Sequence, residues 1–69
     1  MATFEERLVS LRKERNISQR ELGTVLDVSR WAVLNYEGGK NRPDYDSLMK
    51  LADYFEVSLD YLTGRSDER

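Results

Sequence analysis

Ser18-Gln19-Arg20-Glu21-Leu22-Gly23-Thr24-Val25-Leu26-Asp27-Val28-Ser29-Arg30-Trp31-Ala32-Val33-Leu34-Asn35-Tyr36-Glu37-Gly38-Gly39 is the stretch whose reading decides the fold. Ser18 followed three residues later by Glu21 is a capping box, which satisfies two backbone N–H groups at a helix start. Leu22, Val25 and Leu26 carry that helix to about residue 26. Asp27-Val28 leaves almost no loop before Ser29, which can cap a third helix. Gly38-Gly39 terminates it at small steric cost. The pattern is two short helices joined by three or four residues, the helix-turn-helix arrangement.

The same signals continue outward in both directions. Thr3-Phe4-Glu5-Glu6 is another capping box, and Phe4, Leu8 and Leu11 place a first helix to about Glu14. Asn16 suits the turn after it, since Asn tolerates the left-handed conformation. Beyond the glycines, Gly38 to Pro43 reads as a loop. Asp44 caps a fourth helix with Leu48, Leu51, Ala52 and Phe55 at helical spacing, and Ser58 caps a last turn bearing Leu59 and Leu62 before Gly64. The expected organisation is an all-α domain over residues 1–64 and a flexible polar tail over residues 65–69.

Composition narrows the class. The 69 residues include no cysteine and no histidine, which removes disulfides and thiolate or imidazole metal sites. So thin a core must rest on helix packing or on oligomerisation. No apolar run approaches the ~20 residues of a membrane span, and no signal-peptide pattern opens the chain, so a cytoplasmic protein is expected. The net charge of −2 is unevenly spread: residues 1–16 and 17–42 each balance at +1, and residues 43–69 at −4. A polyanion docking on the middle third would meet the less acidic side.

The outward face of the third helix carries the functional reading. At ~100° per residue, Ala32, Val33 and Tyr36 fall with Ser29 on a core side, and Arg30, Trp31, Leu34 and Asn35 fall opposite. An ordinary solvent face mixes Glu, Lys and Gln; this one holds no acid. Arg can pair with guanine O6 and N7 and Asn with adenine, while Trp and Leu can meet thymine methyls or the sugar edge. Arg30, Trp31 and Asn35 are therefore candidate base readers of double-stranded DNA, with Leu34 open between methyl contact and packing. Ser29, Gln19, Lys40, Asn41 and Arg42 are candidate phosphate contacts flanking them. Two other readings stand beside this one: Trp31 and Leu34 packing beneath another element, or anchoring a partner protein.

In combination, Ile17-Ser18-Gln19-Arg20-Glu21-Leu22, Val28-Ser29-Arg30, Tyr36-Glu37-Gly38-Gly39-Lys40, Arg42-Pro43, Leu48-Met49-Lys50-Leu51-Ala52 and Val57-Ser58-Leu59-Asp60-Tyr61-Leu62 resemble the XRE family of phage repressor and Cro type. The resemblance spans roughly Phe4 to Gly64. It implies a lambda repressor-like five-helix bundle with its third helix in the major groove, acting as a transcriptional regulator, a repressor by preference. It assigns Gln19, Ser29 and Lys40, with Asn41 and Arg42, to phosphates and Arg30, Trp31 and Asn35 to bases. It makes Arg12 and Glu37 a buried ion pair between the first and third helices. Asp27 stands where the family usually has Gly, and Gly23 replaces a usual Ala, weakening the helix by about 1 kcal/mol while still allowing close packing.

Enzymatic readings are weak. Ser10-x-x-Lys13 lacks the companion motifs of acyl-transfer enzymes, and Gly39-Lys40 lacks the preceding strand and glycine spacing of a phosphate loop. Asp44 and Asp46 are explained by a helix cap and a first-turn acid. No cofactor, metal or small-molecule substrate is expected. Tyr45, Tyr54, Leu59 and Tyr61 supply more apolar surface than a thin bundle needs, so a homodimer is the expected assembly.

Overall fold

In the computed structural model, which describes residues 2–69, five helices follow one another: α1 (Phe4–Glu14), α2 (Gln19–Leu26), α3 (Arg30–Glu37), α4 (Tyr45–Phe55) and α5 (Leu59–Leu62). Every start is a side-chain cap. The Thr3, Ser18, Ser29, Asp44 and Ser58 side chains accept from the backbone N–H three residues on, and Thr3 with Glu6 and Ser18 with Glu21 form complete capping boxes. Ser29, grouped with the core side in the sequence, is exposed and serves as this cap.

Caps alone do not stabilise helices this short; an apolar face buried against neighbours must do so. Phe4, Leu8 and Leu11 of α1 meet Leu22 and Leu26 of α2, Val33 of α3, Leu51, Ala52 and Phe55 of α4, Val57, and Leu62 of α5 in one cluster. Leu48 sits at its edge, only partly buried. α2 packs most extensively on α3, and α4 supports α2 from behind. Val33 is the one buried side chain of α3, so this helix is held mainly at its ends and by its partly buried Ala32 and Tyr36.

The entrance to α3 is tight. Asp27 takes the left-handed conformation at φ 59° and ψ 42°, the geometry for which a glycine is the easier residue. The Val28 N–H donates to the Gly23 carbonyl at 2.8 Å. A Cβ at Gly23 would lie 2.8 Å from the Val28 carbonyl oxygen and 3.4 Å from the Arg30 nitrogen. Close packing here thus requires the glycine rather than merely tolerating it.

The spare apolar surface differs from expectation. Tyr54 sets its ring edge-on against Phe55 at 5.1 Å between centroids, and Tyr61 lies under the Arg7 guanidinium at 3.8 Å. Both are partly buried against the core. Among the described residues, Tyr45, Leu59 and Met49 remain as the large exposed apolar residues outside α3. Within residues 65–69, Asp67 and Arg69 form ion pairs with Arg7 and Glu14 of α1.

Two predictions concern stability. Gly23→Ala gains helix propensity of about 1 kcal/mol but drives a Cβ into backbone, and overpacking of that kind costs about 1–3 kcal/mol. The expected outcome is a lower denaturant midpoint; an unchanged or higher one shows that the turn yields. The second concerns acid. Backbone N–H donation from Thr3 lowers the Glu6 carboxyl, and donation from Ser47 lowers that of Asp44. Depressed folded-state values mean the stabilisation is present above the ordinary carboxylate range and is lost as pH falls through the folded values. Thermal midpoints should fall over that window, and less steeply in Asp44→Asn.

Candidate nucleic-acid interface

The outward face of α3 is built from the helical period. Val33 points inward; Arg30, Trp31 and Leu34 are exposed, and Asn35 lies half-buried at their edge. Trp31 is 70% exposed, which excludes its packing beneath another element, and Leu34 is 39% exposed. No acidic residue opens α3. At the helix start the Ser29 hydroxyl oxygen accepts from the Ala32 N–H at 3.1 Å. That use leaves the hydroxyl hydrogen available to donate outward.

Beside the α3 entrance is an open cleft of about 560 Å³ lined by Arg12, Ser18, Gln19, Arg20 and Arg30. Three guanidinium-bearing residues and the start of α2 converge there, and a helix start adds partial positive charge. Arg20 is the member that sequence reading missed. Its signal was its place at the second residue of α2, next to Gln19 and on the exposed side.

Gln19 and Arg12 are both held by Glu37. Arg12 donates through Nε to Glu37 Oε2 at 2.5 Å and through Nη2 to Oε1 at 3.1 Å, and its Nη1 donates to the Ile17 carbonyl at 2.9 Å. The side chains are 14% and 7% exposed, so the pair is shielded from water and salt. Gln19 Nε2 donates to the same Oε1 at 3.1 Å. One carboxylate at the end of α3 thus joins α1 and the start of α2. The Arg12 charge is neutralised in place, leaving Arg20 and Arg30 as the outward cations of the cleft.

On the other flank the loop after α3 is tied to the helix it leaves. The Lys40 and Asn41 N–H groups donate to the Asn35 carbonyl at 3.0 and 3.4 Å. Lys40, Asn41 and Arg42 are exposed, and Pro43 is buried behind them. Around α3, then, Gln19 and Arg30 line one cleft, Ser29 caps the helix that carries Arg30, Trp31 and Asn35, and the Lys40 and Asn41 backbone, followed by exposed Arg42, is tied to Asn35. Chemically, these surroundings of α3 offer charge-assisted donors at both ends and a mixed polar and apolar strip between them. Among the described residues no group of acids is placed to hold a metal ion, and no helix is long and apolar enough to cross a membrane.

A family model described as helix-turn-helix matches residues 8–62. The chain is 37% identical over 67 residues to the uncharacterized HTH-type transcriptional regulator YqaE of Bacillus subtilis (strain 168), covering 96% of this chain and 58% of that protein. It is 36% identical over 62 residues to the cryptic phage CTXphi transcriptional repressor RstR of Vibrio cholerae, covering 90% and 55%. Thus it spans about half the length of these curated relatives. Among solved structures, a transcriptional regulator from Listeria innocua superposes with a TM-score of 0.89 at 34% identity, over 97% of this chain and 63% of that one. The P22 c2 repressor in complex with a synthetic operator superposes with a TM-score of 0.88 at 29% identity, over 96% and 100%. With a fold that superposes on the P22 c2 repressor, and with the match running from Leu8 to Leu62, the chain belongs to the helix-turn-helix family, in its phage-repressor XRE type.

Proposed function

We propose that this chain is a sequence-specific, double-stranded DNA-binding transcriptional regulator that represses by occluding its operator, with α3 in the major groove. The observation that carries this reading is the acid-free outward face of α3, with Trp31 largely exposed and cations on both flanks. Arg30 and Asn35 supply the bidentate groups suited to guanine and adenine, and Trp31 supplies apolar contact. Gln19, Ser29, Lys40, Asn41 and Arg42, with Arg20, contact phosphates and fix register without reading sequence. The superposition on a repressor solved with its operator supports the same docking. The regulator acts in the cytoplasm, at the nucleoid when bound, and performs no catalysis.

Net charge is the apparent objection, and its distribution answers it. Most of the acid lies in residues 43–69, and at physiological salt screening acts over about 8 Å. The acidic side then favours one orientation of approach over the other.

The test is titration of labelled random duplex at two salt concentrations, followed by variants on a selected operator. Affinity should fall steeply with salt. Arg30→Ala should cost about 1–3 kcal/mol and relax preference at one base pair. Lys40→Ala and Arg20→Ala should each weaken all sequences alike and reduce the salt slope by about one. No binding to duplex at low salt overturns the reading in favour of a protein partner anchored by Trp31. If Arg30→Ala leaves base preference unchanged, its assignment to base reading is wrong.

Exposed Tyr45, Met49 and Leu59 supply apolar surface for a two-fold pair, which would place two α3 helices on half-sites about 34 Å apart. Ultracentrifugation on a full operator should show two copies per duplex. One copy at saturation refutes the pairing.

A further inference from the structure

The exposed rims of α1 differ in what they face. At about 100° per residue, Arg12 lies some 140° round the helix from Arg7, whereas Glu14 lies within about 20° of it. Arg12 borders α3 and the cationic cleft. Arg7 and Glu14 border the opposite edge of the buried stripe, where residues 65–69 cross.

The crossing is specific. Gly64, at φ 84°, turns the chain so closely beneath the amino-terminal residues that a Cβ would come to 2.1 Å from the Ala2 carbonyl oxygen. Asp67 then accepts from Arg7 Nη2 at 2.6 Å. Arg69 donates through both terminal nitrogens to the two Glu14 oxygens, each at 2.6 Å. The Ser58 N–H, at the start of α5, donates to the Arg69 carbonyl at 2.8 Å. The Tyr61 ring lies beneath both guanidiniums, 3.8 Å from Arg7 Cζ and 5.3 Å from Arg69 Cζ.

Two features give this surface its selectivity. The helix presents a cation and an anion on one edge, and the segment presents an anion and a cation in the complementary sense. Furthermore, the Arg7 side chain is only 9% exposed, and Asp67 is the carboxylate paired with it. The segment covers Arg7 as it pairs with it, so charge complementarity and burial arise together.

We infer that the α1–α5 face is a docking surface for an extended acid-x-base segment, and that its occupant is residues 67–69 of this chain, held in cis. The outer partners are accessible: Asp67 is 89% exposed, and Arg69 and Glu14 are 50% exposed each. Salt therefore screens the contact, and it opens without unfolding the bundle. Opening uncovers Arg7 and Tyr61 on the side of α1 away from Arg12, leaving the α3 face in place. This inference stands independently of the proposed DNA target.

Backbone ¹⁵N relaxation on the full chain tests it. In low salt, order parameters of residues 67–69 should approach the rigid value of about 0.85, and in Glu14→Arg or Arg69→Glu they should fall below about 0.6. The double variant Glu14→Arg with Arg69→Glu should recover the order that each single change removes. Asp67→Asn should loosen the segment while the α3 resonances stay put. Raising salt to about 1 M should loosen the wild type as well, since the Debye length shrinks to about 3 Å. A mobile segment in low-salt wild type, or failure of the exchanged pair to recover order, overturns the docking surface. Order that grows with protein concentration overturns the cis occupant, because the segment then sits on a second copy.

Discussion

The carboxylate of Glu37 is the point through which α3 and its outward face are held. It is almost wholly buried, and it accepts from Arg12 on α1 and from Gln19 at the start of α2. Removing one partner from such a pair typically costs about 3–5 kcal/mol, whereas exchanging the whole pair for apolar groups is often neutral. Its contribution is therefore geometric as much as energetic: directional bonds fix the far end of an eight-residue helix that buries only Val33 fully. The near end is fixed by other means, through the Ser29 cap and the close approach of Val28 to Gly23. A helix pinned at both ends can leave the side chains between them uncommitted to the core.

That arrangement explains how a 69-residue chain keeps a large aromatic in water. Trp31 would add welcome area to a thin core, yet the core closes around Leu8, Leu22, Leu26, Val33, Leu51 and Leu62 without it. Cations are disposed likewise. Arg12 and Arg7 are absorbed by Glu37 and Asp67, whereas Arg20, Arg30, Lys40 and Arg42 remain exposed around α3. Formal charge counts all of these alike and so understates the polarity of the molecule.

Helix starts were legible because caps are local. A hydroxyl or Asp and the residue three positions on are neighbours in sequence as in space, and all five starts follow that pattern. The outward face of α3 was legible for the same reason, through its period. Contacts between distant residues were not. Arg7 with Asp67 and Arg69 with Glu14 join residues 60 and 55 positions apart, and nothing in a polar carboxy-terminal stretch marks it as bound rather than free. Tyr54 and Tyr61 were read as spare surface because the guanidiniums over their rings, those of Arg15 and Arg7, come from the first part of the chain and depend on how the helices pack. Gly23 shows a subtler limit. Propensity priced it as a small loss to α2, whereas the decisive quantity is its distance to a carbonyl in the next turn.

The Asn35 carbonyl joins two parts of the proposed interface, the helix and the loop that follows it. By accepting from both Lys40 and Asn41, it ties the loop to the helix as an outrigger rather than an independent arm. A backbone anchored at that outrigger leaves α3 no freedom to slide along its own axis. In the proposed complex, the groups assigned to phosphates and those assigned to bases would then move as one piece. Sequence preference in such a complex depends on where the phosphate contacts fall as well as on which side chains reach the bases.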